Sequence, residues 1–145
     1  ETAQQRCENI LTANYADKKL DIAITAYDGL AYGVRSAVEG AGYKVGEDWP
    51  MITAQDAETM ACKNILSGHQ TMTICKDTKV LAQKCVTMVQ AVLEGGEPEI
   101  NDTTQYNNNV LTVPSYLCIP VAVDKNNIKE IVVDGGVHSA DDIGL

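Results

Sequence analysis

Apolar residues along this chain follow two periods, and the switches between them mark its elements. Near the start, Ala3, Cys7, Ile10 and Leu11 recur every three or four positions, which predicts a helix over residues 2–14 with Thr2 as its cap. A polar connection at 16–19 leads to the stretch around which the rest is organised, 20–43, LDIAITAYDGLAYGVRSAVEGAGY. Ile22, Ala23, Ile24 and Ala26 form a short apolar run, as expected of a strand buried on both faces of a parallel sheet. Tyr27-Asp28-Gly29 stops the run, and Asp28 is placed to cap the helix that follows. Leu30, Val34, Ala37 and Val38 then take up helical spacing, and Gly40 and Gly42 close the helix. The unit repeats twice. A short strand at 51–54 runs into Gln55-Asp56 and a helix at 57–66, with Asp56 as N-cap and Met60, Ile65 and Leu66 facing inward. A third strand at 70–75 ends at Lys76-Asp77, and the helix at 78–94 carries an apolar stripe of Leu81, Cys85, Met88, Val89 and Val92.

Three strand-then-helix units in succession predict an α/β fold, a Rossmann-like parallel sheet flanked by helices with right-handed crossovers. After Pro98 the pattern changes. Residues 100–109 read as an exposed polar loop. Residues 110–123 are extended, and Pro114 and Pro120 confine such a segment to an edge or a crossing strand. A short helix at 126–131, a turn at 134–136 and a frayed acidic tail complete the reading.

Composition narrows the partners. The formal net charge is -9, from 11 Lys plus Arg against 20 Asp plus Glu, which argues against a nucleic-acid groove and against an anionic membrane surface. A neutral or cationic ligand suits it better. No apolar run approaches the roughly 20 residues that span a bilayer. The chain begins at Glu1 with no signal peptide, so it reads as an internal or processed piece. Its five cysteines are odd in number and lack CxxC spacing; they read as small apolar residues, with a single disulfide left open. His69 and His138 are far apart and read as surface residues, and no metal or cofactor motif accompanies them.

The chemistry gathers at the strand ends. In open α/β sheets, ligands bind beyond the carboxyl ends of the strands. Tyr27-Asp28, Gln55-Asp56 and Lys76-Asp77 all fall there, a set of carboxylates, an amide, an ammonium and a phenol. Carboxylates accept from adjacent hydroxyls and a lysine donates to ring or hydroxyl oxygens, which is the chemistry of polyol recognition. Plain structural roles compete with this: the aspartates as helix caps, Lys76 as a solvated side chain, Tyr27 as a packing aromatic. Enzyme signatures are missing, with no GxGxxG, GxxxxGK[ST] or GxSxG. An acid and base pair of Asp28 and Asp56 in a glycoside-acting enzyme is the weaker reading.

At these residues the chain closely resembles the periplasmic monosaccharide-binding proteins of bacterial sugar ABC transporters, in particular the xylose and multiple-sugar-binding group. The matching pieces are YDGLAYGVRSAVEGAGY, ITAQDAE, ILSGHQTMTICKDTKVLA, EGGEPEIND and VPSYLCIPVAVDKNNIKEIVVDGG, in order and over nearly the whole chain. The resemblance implies two Rossmann-like lobes closing on a sugar, of which this chain would be a C-terminal fragment. Residues 1–76 would then belong to the second lobe, 77–109 to a helix and loop packing on the absent first lobe, and 110–145 to a hinge-crossing segment and tail. It implies sugar contacts at Asp56, Lys76 and Tyr27, where the group has an asparagine in place of Tyr27; Asp28 beside them completes the expected site. It further implies a binding protein without catalytic activity or cofactor, located in the periplasm or outside the cell, with a lipid anchor as one arrangement. Its partners would be a monosaccharide, a membrane permease and the missing N-terminal lobe. An effector-sensing domain of a sugar-responsive transcription regulator shares the fold and is the alternative.

Overall fold

A computed structural model describes residues 2–145 and divides them into two compact units. Of the described residues, the first comprises 2–75 and 121–145, and the second 76–120.

The first unit is built on a four-stranded sheet in the order β1 (Ile22–Ile24), β2 (Met51–Thr53), β3 (Met72–Cys75) and β4 (Val121–Asp124). β1, β2 and β3 are parallel, with Ile22 opposite Met51 and Thr53 opposite Met72. This is the expected consequence of a helix between each pair of strands: α2 (Asp28–Gly40) and α3 (Thr59–Leu66). β4 is antiparallel to β3, with Cys75 opposite Val121, so a strand read from sequence as part of a longer extended segment closes the sheet instead.

Around this sheet the core falls into three clusters. Leu11 of α1 (Thr2–Asn14), Leu20, Ala37 and Val38 pack together, with Trp49 and Tyr43 against them. Ala31, Ile52 and Ala54 form a second cluster under α2. Cys62, Ile65, Val123, Ile128, Val132 and Ile143 form the third, which joins α3 to the end of the chain. Each fully buried aliphatic side chain contributes about 1.5–3 kcal/mol.

Several expectations are corrected here. β1 is not buried on both faces: Ile24 is 84% exposed, because β1 is the edge of the sheet among the described residues. Met60 lies on the outer face of α3 and is half exposed. The acidic tail is not frayed. Ser139 caps α5 (Ala140–Ile143) in a reciprocal capping box with Asp142, and Ile143 is buried. A π-helix at Lys129–Asp134 replaces the short helix expected slightly earlier, and Gly135 and Gly136 follow it as the expected turn. The histidines are half-buried rather than on the surface. The His69 ring meets Trp49 edge-on and takes Ser67 Oγ at 2.9 Å, while His138 Nε2 lies 2.8 Å from the Ala57 carbonyl. The five cysteines form no disulfide.

In the second unit, α4 (Thr78–Leu93) starts where expected, with Asp77 accepting from the Lys79 and Val80 amides. No residue of α4 is buried within this unit, and Leu81, Val86, Val89 and Val92 stand exposed along it. The polar loop is pinned by local bonds: Asp102 accepts from the Thr104 and Gln105 amides, and Asp102 pairs with Ser115.

Candidate functional site

Parallel pairing brings the carboxyl ends of β1 and β2 to the same side of the sheet, and a ladder of backbone bonds continues past the strands. Thr25 N–H donates to the Thr53 carbonyl at 3.0 Å, Asp28 N–H to Gln55 at 2.9 Å, and Asp56 N–H to Ile74 at 2.9 Å. The segment after β1 is thereby fixed to that after β2, and the latter to β3 itself. The Gln55 side-chain amide also donates to the Ala26 carbonyl.

Tyr27 and Asp56 lie at this end of the first unit, and both are exposed. Tyr27 is the N-cap residue of α2, with no capping bond from its side chain. Its ring rests against Gly29, where an added Cβ would come within 2.7 Å of the ring edge, so the glycine sets where the phenol sits. Asp56 is not the N-cap of α3. That position belongs to Glu58, because the chain first makes a turn in which Asp56 has φ 110 and Ala57 φ 53. Such angles are uncommon for residues with a Cβ and cost about 1–3 kcal/mol each.

Asp28 differs from its expected role both as a cap and as a ligand-facing group. It is the first residue of α2, and its carboxylate is fully buried. Oδ1 accepts from Gln70 Nε2 and Thr73 Oγ1, both at 2.9 Å, and Oδ2 accepts from the Glu58 amide at 2.9 Å. Burial pushes its carboxyl above the ordinary value, opposed by these bonds from Glu58, Gln70 and Thr73. Both of its oxygens are thus engaged inside the protein.

Lys76 follows the last residue of β3 directly and opens the second unit. Within that unit it lines a cavity of about 510 Å³ with Asp77, Leu81, Tyr106, Tyr116 and Pro120. The Tyr116 ring is held by Lys84, whose Nζ stands 4.3 Å over it and 2.6 Å from Glu99.

Sequence reading missed Gln70, Thr73 and His138, and the tyrosines at 106 and 116. Thr73 had one visible signal, a hydroxyl in the middle of an apolar strand. His138 had none, since it meets Ala57 across 81 positions of sequence. Among the described residues no group of three or more His, Cys, Asp or Glu could hold a metal ion, and no helix is long and apolar enough to cross a membrane.

The profile of the periplasmic binding protein domain matches residues 1–97. The multiple sugar-binding periplasmic receptor of Rhizobium radiobacter is 46% identical over 98% of this chain. The D-xylose-binding periplasmic protein of Haemophilus influenzae is 38% identical over 99% of it. The chain spans 40% and 41% of the length of these two curated relatives. Among solved structures, an ABC transporter solute-binding protein from Clostridium phytofermentans with bound β-D-glucose superposes with a TM-score of 0.88 at 46% identity, over 99% of this chain and 44% of that one. A carbohydrate transporter solute-binding protein from Chloroflexus aurantiacus in complex with D-glucose gives 0.84 at 33% identity, over 97% of this chain and 40% of that one. Sequence, strand order and superposition agree, and the chain belongs to the periplasmic binding protein domain family.

Proposed function

We propose that this chain is part of a periplasmic receptor that binds a monosaccharide, a pentose or a hexose, and delivers it unchanged to the membrane permease of an ABC transporter. Asp56, Lys76 and Tyr27 are its sugar contacts here, and a further lobe supplies the facing half of the site. The Asp56 carboxylate accepts from adjacent sugar hydroxyls, and the Lys76 ammonium donates to a ring or hydroxyl oxygen. Tyr27 offers one hydroxyl and a ring face, where an amide would both donate and accept.

The observation that supports this reading is the placement of polar, exposed side chains just past the carboxyl ends of consecutive strands, in a chain 46% identical to a multiple sugar-binding receptor. Each charge-assisted bond contributes about 1.5–3 kcal/mol, or roughly 10- to 150-fold in affinity. Titration calorimetry of the full-length receptor with D-glucose and D-xylose is the test. Asp56→Ala and Lys76→Ala each weaken binding by that range, and Tyr27→Phe changes the preference between the two sugars. Unaltered affinity in Asp56→Ala would overturn the assignment.

A further inference from the structure

We infer that Asp28 is a positioning residue of the sugar site, a buried clamp that holds the left-handed turn presenting Asp56. The inference rests on the reading of Asp56 as a sugar contact. It goes beyond that reading in giving a defined task to a carboxylate that touches no ligand.

The clamp has two jaws on one residue. The Asp28 backbone N–H donates to the Gln55 carbonyl at 2.9 Å, and its Oδ2 accepts from the Glu58 amide at 2.9 Å. Asp28 thus grips the residue before Asp56 and the second residue after it. A relay extends the grip inside the turn. Thr73 Oγ1 donates to Asp28 Oδ1, and the same hydroxyl accepts from the Ala57 amide at 3.2 Å. Every backbone group that this network holds flanks or belongs to the pair with positive φ, Asp56 and Ala57.

Such a pair does not keep its shape alone. Positive φ at two successive residues with side chains persists where the surroundings over-determine it. Here the Asp56 amide is tied to Ile74 and the Ala57 carbonyl meets His138, but the Ala57 and Glu58 amides depend on Asp28, directly or through Thr73. Relaxing the turn would swing the Asp56 carboxylate, whose direction comes from its own φ. The carboxylate form of residue 28 is also specific. Its two oxygens face only donors, Gln70 Nε2, Thr73 Oγ1 and Glu58 N–H. An asparagine of the same shape sets an N–H₂ against one of them.

The experiment uses the full-length receptor with Asp28→Asn, Thr73→Val and Thr73→Ser, and Asp56→Ala in parallel. Three quantities are measured: affinity for D-glucose and D-xylose, amide hydrogen exchange at Ala57 and Glu58, and the backbone three-bond coupling that reports φ at Asp56. Asp28→Asn is expected to weaken both sugars about 10- to 100-fold. It also speeds exchange at Glu58 and shifts the Asp56 coupling, while exchange in β4 stays as in the parent. Thr73→Val gives the same pattern centred on Ala57, and Thr73→Ser, which keeps the hydroxyl, restores parental values. Parental affinity and coupling in a folded Asp28→Asn protein would overturn the clamp. So would exchange that rises uniformly through the protein, since Asp28 would then serve overall stability alone. If Asp28→Asn does not fold, the Thr73 pair decides by the same criteria. Unchanged sugar affinity in Asp56→Ala would remove the proposed site instead, and the exchange and coupling at residues 56–58 would still decide the clamp.

Discussion

At the scale of single residues, three aspartates that look alike in sequence end in three different states. Each follows or ends a strand and precedes a helix, so each reads as an N-cap, and only Asp77 caps with its side chain. Asp28 lies one position inside its helix and is drawn into the interior by Thr73 and Gln70, while Asp56 stays exposed on a strained turn. Local spacing cannot separate these outcomes, because the deciding partners lie 42 and 45 residues away. Asp142 shows the opposite case, where the local motif is the largest cause. Bonds from Ser139 hold its carboxyl below the ordinary aspartate value. A depressed folded value contributes stability above the unfolded value, and that contribution is lost as pH falls through the folded one. Melting temperatures of the parent and of Ser139→Ala should therefore differ at neutral pH and converge as the pH drops below about 4. A difference that persists unchanged at pH 2.5 would contradict the assignment.

At the scale of elements, the helices were the most legible part. The period of apolar residues located α1 and α2, and Gly40 and Gly42 marked the end of α2. Burial was less legible. The run in β1 has the composition of a central strand, yet Ile22 and Ile24 are exposed, because neighbours and not composition decide which faces are covered. The close packing of α1 on α2 gave no signal at all beyond one glycine. An added Cβ at Gly33 would meet the Gln4 backbone nitrogen at 2.8 Å and the Ala3 Cβ at 2.9 Å, and backbone cannot step aside. Gly33→Ala should thus lower stability by about 1–3 kcal/mol, although alanine favours helix. Gly40→Ala, with nothing within 4 Å of the new carbon, is the control and should be neutral or stabilising by about 0.4–1 kcal/mol. Urea denaturation of both variants measures the contrast. Equal midpoints would show that α1 and α2 are not in the close contact described.

At the scale of the whole molecule, the chain leaves the first unit after Cys75 and returns at Val121, and those two residues are directly opposite in the β3–β4 pair. A span of that register needs only a two-residue turn. Replacing residues 76–120 by Asn-Gly should leave the first unit folded, with cooperative melting and slow amide exchange at Val123. Loss of cooperative melting would show that the unit depends on the excised segment. By itself the sequence determined the alternation of strand and helix, the direction of the first three strands, and the strand-end positions where polar side chains gather. Those follow from periodicity and from the reach of a helix crossover, which are local properties. Only the tertiary structure decided that β4 reverses and seals the sheet, that Asp28 turns inward while Asp56 stays out, and that the tail is anchored by Ile143. Each of these depends on a partner tens of residues distant, and the energy of a buried contact is set by which groups meet in space, not by which are neighbours along the chain.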